Sequence, residues 1–172
     1  RESGELLAYY KLCHVSNDKH PGIIFLSGFM SDMNGEKALA IERFAKNNKL
    51  SFVRFDYFGH GDSTGKFFDG HPSIWLEDAL AILDQLTKGP QILIGSSMGG
   101  WLMFLVAMAR PERIAGLIGV AAAPDFTERL LEKELNTKQL SEVKEKGFTV
   151  LPSDYEDDYI FTKALFDGLM QC

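Results

Sequence analysis

The chain has 172 residues, of which 45% are apolar and 24% are charged, a balance typical of a globular domain with a substantial core. This composition excludes a disordered, collagen-like or fibrous chain, and the length predicts a single domain over residues 1–172. The net charge of −6 without a cluster of lysines or arginines argues against nucleic acid as a partner, because nucleic-acid binding needs a basic face. Two cysteines, Cys13 and Cys172, are too few for a disulfide framework.

Short apolar runs alternate with amphipathic segments up to about residue 121. In chain order we predict an edge strand at Glu5–Leu12, a central strand at Ile23–Ser27, a helix at Glu36–Asn48, a strand at Phe52–Asp56, a glycine-rich loop at Gly59–Gly70, a helix capped by Ser73, a strand at Gln91–Gly95, a helix at Met98–Ala109 and a strand at Ile114–Ala121. Strands separated by helices predict an α/β fold, in which a parallel sheet carries helices on both faces.

The character of the sequence changes after Pro124. Two charged, amphipathic segments, Thr127–Asn136 and Lys138–Lys146, predict helices, and a last helix is predicted at Ile160–Met170. We interpret residues 124–160 as a helical, cap-like insertion over the sheet.

The stretch Gly89–Ala109 carries no charge and is long enough to span a bilayer. Pro90 and several glycines divide it into pieces that are each too short to span. Both pieces fit buried elements of an α/β core, so we expect no stable membrane insertion.

The pattern Gly-x-Ser-x-Gly occurs twice, around Ser63 and around Ser97. The second match follows a buried strand directly and opens directly into a helix, which is the strand–turn–helix context of a nucleophile elbow. The first match continues into more loop, so we interpret Ser63 as a loop hydroxyl. The context therefore predicts Ser97 as a catalytic nucleophile.

A nucleophilic serine in acyl transfer also needs an oxyanion hole made of hydrogen-bond donors. One donor is expected to be the backbone N–H of Met98, the residue after the nucleophile, and the other to come from the loop after the first central strand. That strand ends at Gly28, which allows the chain to turn so that the N–H of Phe29 faces the site.

These features resemble the α/β-hydrolase fold, and in particular the abhydrolase-domain family typified by mitochondrial palmitoyl-protein thioesterases, also known as mycophenolic acid acyl-glucuronide esterases. The resemblance covers most of residues 21–121 and weakens after Pro124. It implies hydrolysis of acyl esters or thioesters without a metal or another cofactor, with Ser97 as nucleophile and with Met98 and Phe29 as oxyanion donors. The matching segments are Pro21–Leu26, Ser31–Glu42, Arg54–Tyr57, Gly89–Met103, Ala109–Glu112 and Leu117–Ala121.

The sequence departs from the pattern of the fold in one respect. The triad of this fold runs serine, acid, histidine along the chain, but no histidine follows Ser97. We therefore interpret the 172 residues as the N-terminal portion of the fold, with the C-terminal strands missing and Ile114–Ala121 left without an outer neighbour.

Other residues are weaker candidates for the site. We expect His60 and His71 to be solvated loop histidines, with a place in the pocket wall as the alternative. Asp125 is expected to cap the next helix, with the role of triad acid as the alternative. Three aromatic residues are expected to pack in the core, with the floor of an acyl pocket as the alternative: Phe67, Phe68 and Trp75.

The sequence thus predicts a serine hydrolase that cleaves acyl esters or thioesters through an acyl-enzyme at Ser97, incomplete in this chain. The alternative is a non-catalytic protein of the same fold that binds a ligand or a partner. The expected partner is a small or lipidated acyl substrate. The expected location is the bacterial cytoplasm, or the mitochondrial matrix if the source is eukaryotic.

Overall fold

The computed structural model describes residues 4–14, 20–124, 135–152 and 158–169. A five-stranded sheet lies at its centre, with the order β1-β3-β2-β4-β5. Strands β2 to β5 are mutually parallel, and β1 pairs antiparallel with β3 at one edge. The predicted four-stranded parallel sheet and the edge position of the first strand are therefore confirmed. The strands are β1 (Tyr9–Leu12), β2 (Gly22–Leu26), β3 (Phe52–Phe55), β4 (Gln91–Ser96) and β5 (Ile114–Val120).

Helices cover both faces of this sheet: α1 (Glu36–Asn47) on one face, and α2 (Pro72–Leu86) and α3 (Met98–Ala109) on the other. Because side chains alternate along a strand, β2 serves both layers. Ile23 and Phe25 pack on the side of α1, whereas Ile24 and Leu26 pack on the side of α2 and α3. Burial on both faces explains why β2 is a continuous apolar run. None of the helices in the described ranges is both long enough and apolar enough to cross a bilayer.

The sheet ends at β5 in the described part of the chain. Leu117 and Ile118 on this strand are 37% and 50% exposed, whereas the residues of β2 are all buried. This agrees with the expectation that Ile114–Ala121 has no strand on its outer side.

The C-terminal part contains α4 (Thr137–Lys146), β6 (Phe148–Leu151), β7 (Tyr159–Thr162) and α5 (Lys163–Leu169). Helix α4 matches the prediction at Lys138–Lys146; its N-terminus carries a capping box between Asn136 and Gln139. The helix predicted at Ile160–Met170 begins late, because residues 159–162 pair antiparallel with β6. Aromatic and β-branched residues favour a strand there, and the partner strand was not predicted. Most of the predicted helix Thr127–Asn136 lies outside the described residues.

The start of α2 differs from the prediction. The helix begins at Pro72, with His71 at the capping position, and proline suits a first helical turn because its fixed φ is already helical. Ser73 therefore lies inside the helix, and its hydroxyl donates to the carbonyl of Gly168 in α5 (3.4 Å). The prediction of Ser73 as the helix cap was wrong.

Candidate active site at Ser97

Ser97 lies between the end of β4 and the start of α3. Its φ of 51° and ψ of −118° fall in a region that residues other than glycine rarely adopt. The N–H of Ser97 donates to the carbonyl of Val120 (3.1 Å), and its own carbonyl accepts from Gly100 (2.9 Å) and Ala123 (3.2 Å). A strained, half-buried serine fixed at the carboxyl edge of a parallel sheet has the backbone geometry expected of a nucleophile elbow.

The glycines on either side of Ser97 allow close packing of backbone on backbone. A Cβ on Gly95 would lie 2.4 Å from the carbonyl oxygen of Gly99. A Cβ on Gly99 would lie 2.2 Å from the carbonyl oxygen of Leu26 and 2.4 Å from that of Ser27. The small residues in the motif therefore let α3 begin directly against β2 and β4, which sharpens the turn at Ser97.

The loop that follows β2 lies next to Ser97, as the oxyanion-hole prediction requires. A Cβ on Gly28 would lie 3.5 Å from the Cβ of Ser97. Phe29 follows in this loop, and Met98 is the first residue of α3, so its N–H belongs to the positive end of the helix dipole. The fold thus places Gly28, the residue before Phe29, beside Ser97 and Met98. That the N–H groups of Met98 and Phe29 converge on one point stays a prediction.

The ring of Phe29 is buried in an aromatic cluster. It stacks on Phe161 of β7, with ring centroids 5.4 Å apart and an angle of 1°, and it contacts Phe67 at 5.4 Å and Trp75 at 5.9 Å. Trp75 is almost fully buried, as expected for core packing. Phe68 is 47% exposed, so the expectation that it packs in the core was wrong. The sequence interpretation missed the contact with Phe161, because it assigned residues 160–170 to a helix.

Strand β7 also contacts the loop by hydrogen bonding. The N–H of Ile160 donates to the Sδ atom of Met30 (3.3 Å), and Met30 has a positive φ of 55°. The segment after Pro124 therefore packs directly on the residues beside Ser97.

Ser63, in the first Gly-x-Ser-x-Gly match, is a loop hydroxyl, as expected. Its Oγ donates to the carbonyl of Asp56 (2.7 Å) and accepts from the N–H of Ala8 (2.9 Å). These bonds tie the end of β3 to the segment before β1. The Asp56 carboxylate accepts from the N–H groups of Met33 and Asp62, and burial raises its pKa above the ordinary value.

The histidines differ from the sequence expectation. His60 is 5% exposed, its Nδ1 lies 3.1 Å from the carbonyl oxygen of Phe58, and its Nε2 is buried without a hydrogen-bond partner among the described residues. Its ring packs edge-on against Tyr57, Phe67 and Trp75, so the interpretation as a solvated loop residue was wrong. His71 is half-buried against Gly168. Asp125 lies outside the described residues.

The burial of His60 predicts a pH dependence of stability. Burial lowers the pKa of this histidine below its ordinary value of 6.5, so the unfolded chain takes up a proton that the folded chain does not. The free energy of unfolding is therefore expected to fall as the pH drops below 6.5, and this loss should be smaller in His60→Gln. Urea titrations at pH 7.5 and 5.5 measure it. His20→Gln is the control because His20 is exposed, and equal pH dependence in all three proteins would contradict the prediction.

Comparison with known proteins identifies the family. The family model Hydrolase_4, described as serine aminopeptidase, S33, matches residues 18–153. The chain belongs to this family. The resemblance to the abhydrolase-domain thioesterases is also confirmed: "Palmitoyl-protein thioesterase ABHD10, mitochondrial" from Bos taurus is 44% identical over 156 residues, and the protein of that name from Homo sapiens is 46% identical over 155 residues. Each match covers 90% of this chain and 49% of the relative. The chain thus spans about half the length of these curated relatives.

A solved structure agrees with the fold. The structure of alpha/beta hydrolase domain-containing protein 10 from mouse superimposes with a TM-score of 0.85 at 40% identity, and the match covers 99% of this chain and 67% of that one. The fold is therefore that of an α/β hydrolase, and the chain is partial relative to this neighbour.

Proposed function

We propose that the protein is a serine hydrolase in which Ser97 attacks the acyl carbon of an ester or thioester. The observation that carries the proposal is the strained backbone of Ser97, held beside the Gly28 loop. In the attack, the Ser97 hydroxyl gives its proton to a general base while the Oγ forms a bond to the carbonyl carbon, and the carbonyl oxygen becomes an oxyanion. The N–H groups of Met98 and Phe29 stabilise this oxyanion, and the thiol or alcohol leaves with the proton that the base had taken. Water then hydrolyses the acyl-enzyme to the free acid and restores the Ser97 hydroxyl.

The attack requires a general base, because a free serine hydroxyl is a poor nucleophile near neutral pH. Residues 98–172 contain no histidine that could act as this base. His60 is buried among the rings of Tyr57, Phe67 and Trp75. The curated relatives extend over about twice the matched length. We place the base and its acidic partner in the part of the fold that this chain does not cover.

The names of the relatives support an acyl thioester substrate, carried on a small molecule or a lipidated protein. No group in this mechanism calls for a cofactor. The net charge of −6 disfavours nucleic acid as a partner. For a eukaryotic source we propose the mitochondrial matrix, in line with the mitochondrial relatives, and for a bacterial source the cytoplasm.

We also propose that residues 124–160 act as a cap on a single hydrolase domain. Strand β7, which begins at the end of this segment, supports this role, because its Phe161 stacks on Phe29 and its Ile160 donates to Met30. A cap in this position excludes water from the acyl-enzyme and selects the substrate.

The experiment that tests the proposal compares the two Gly-x-Ser-x-Gly serines in the full-length gene product. A fluorophosphonate reagent is expected to label Ser97, and Ser97→Ala is expected to abolish the adduct and to lower acyl thioester hydrolysis by about 10⁴–10⁶-fold. Ser63→Ala is the matched control. It removes two hydrogen bonds at a cost of about 1–3 kcal/mol of stability but retains labelling. Peptide mass spectrometry locates the adduct, and a folded protein without an adduct at Ser97 would favour a non-catalytic binding protein.

A further inference from the structure

The loop that carries Phe29 is fixed at both ends. At its start, Ser27 and Gly28 follow the buried strand β2, and the N–H of Ser31 donates to the carbonyl of Gly28 (3.2 Å). At its other end, Met33 is buried and lies in the turn that leads into α1. Between them Met30 adopts a positive φ, which a non-glycine residue keeps only when its surroundings hold it. The position of the Phe29 peptide therefore depends on what holds Met33, in addition to the ring contacts of Phe29 and the bond from Ile160 to Met30.

Two side chains from β3 and its end hold the backbone of Met33. The Asp56 Oδ1 atom accepts from the N–H of Met33 at 2.6 Å, and the Arg54 Nη1 atom donates to the carbonyl of Met33 at 3.0 Å. Residues two apart on a strand project from the same face, so Arg54 and Asp56 reach the same passing segment. The backbone N–H and carbonyl of Met33 are thus both hydrogen-bonded to ionisable side chains. A hydrogen bond to a charged group is about twice as strong as one between two neutral groups.

The two side chains are themselves immobilised. Arg54 is 8% exposed, pairs with Glu42 of α1 at 2.8 Å, donates to the Oδ1 atom of Asn34 and lies 4.6 Å from the ring centre of Tyr10. Asp56 is fully buried, and its second oxygen accepts from the N–H of Asp62 (2.9 Å). Neither side chain touches Ser97 in a described contact, so any effect on the reaction passes through the loop.

We propose that Arg54 and Asp56 are positioning residues, which clamp the Met33 peptide and thereby hold the N–H of Phe29 against the oxyanion formed at Ser97. The inference rests on the proposed function, because it assumes Ser97 as the nucleophile. An oxyanion-hole donor acts only within hydrogen-bond distance of the developing charge. A displacement of about 1 Å costs about 100-fold in rate, even when the altered residue lies away from the chemistry.

The test measures fluorophosphonate labelling of Ser97 in the full-length gene product, with the rate constant and the final extent recorded separately. Arg54→Met and Asp56→Asn are expected to lower the rate constant by about 10–100-fold while the folded fraction still labels to completion. In Asp56→Asn a neutral amide replaces the carboxylate, so the bond to the Met33 N–H weakens in either orientation of the amide. Arg113→Met is the matched control, because Arg113 also donates to backbone carbonyls, those of Leu83, Thr87 and Gly89, but none of these lies in the Phe29 loop. Its rate constant is expected to stay within about two-fold of the wild type.

The separate readings distinguish a positioning role from a merely structural one. Loss of stability lowers the extent of labelling, whereas a misplaced N–H lowers the rate constant of the molecules that are folded. Rate constants equal to that of Arg113→Met in both variants would overturn the clamp and leave the proposed function intact. If Arg54→Met does not fold, the rate constant of Asp56→Asn decides alone. A wild-type protein that is not labelled at Ser97 would overturn the proposed function, and the clamp with it.

Discussion

The 172-residue chain, purified by itself, is expected to react with a fluorophosphonate about 10⁴–10⁶-fold more slowly than the full-length gene product reacts under the same conditions. The reason is the absence of a histidine after Ser97 in this sequence, because proton removal by a positioned base accounts for a large part of serine reactivity. The backbone donors of Met98 and Phe29 remain, so slow labelling above the rate of a free serine is expected.

Intact-mass spectrometry over a time course measures this rate, and a cooperative thermal transition of the same sample excludes misfolding as the cause. Added imidazole is expected to raise the rate, because it supplies a base without changing the protein. Labelling of the chain as fast as the full-length gene product would show that a base is already present. His60→Gln and His71→Gln would then identify it, and the interpretation that the base lies outside this chain would be wrong.

The sheet could be predicted from the sequence because its central strands are buried on both faces. Strand β2 and most of β4 form continuous apolar runs bounded by glycine or proline, and the lengths of the helices between strands leave few other arrangements.

The approach of the Gly28 loop to Ser97 could also be predicted, because it follows from the order of the strands. Two glycine-bearing loops that follow neighbouring parallel strands must meet at one edge of the sheet, and Gly28 does lie beside Ser97.

The features that the sequence did not reveal depend on contacts between distant residues. Ile160 and Met30 are 130 positions apart, so no local sequence pattern predicts that β7 packs on the Phe29 loop. His60 lies in a glycine-rich loop that resembles a solvated turn, and only the folded arrangement of Tyr57, Phe67 and Trp75 encloses it.

The spacing of Arg54 and Asp56 was visible in the sequence, since two charged residues alternate with Phe55 in an otherwise apolar strand. The function of this spacing could not be predicted, because Arg54 and Asp56 bind the backbone of Met33, more than twenty positions earlier in the chain. Charged residues that alternate at the end of a central strand indicate that backbone groups of a neighbouring loop are buried there and need hydrogen-bond partners.

Gly99→Ala is expected to destabilise the protein by about 3 kcal/mol, even though alanine favours a helix over glycine by about 1 kcal/mol. The added Cβ would lie 2.2 Å from the carbonyl oxygen of Leu26 and 2.4 Å from that of Ser27. Both obstacles are backbone atoms of the central strand and its end, so no side chain can rotate away. Either α3 moves away from β2 or the elbow relaxes, and each change also displaces the N–H of Met98.

Gly116→Ala is the matched control, because the nearest atom to its new Cβ is the Cγ1 of Ile92 at 3.8 Å, an ordinary contact. Its effect is expected to stay within about 1 kcal/mol. Urea titrations give the free energies of unfolding, and the labelling rate of the folded fraction reports on the elbow. A stable Gly99→Ala protein that labels at the wild-type rate would contradict the close approach of α3 to β2. The geometry assigned to Met98 beside Ser97 would then be wrong as well, since the same contact fixes where α3 begins.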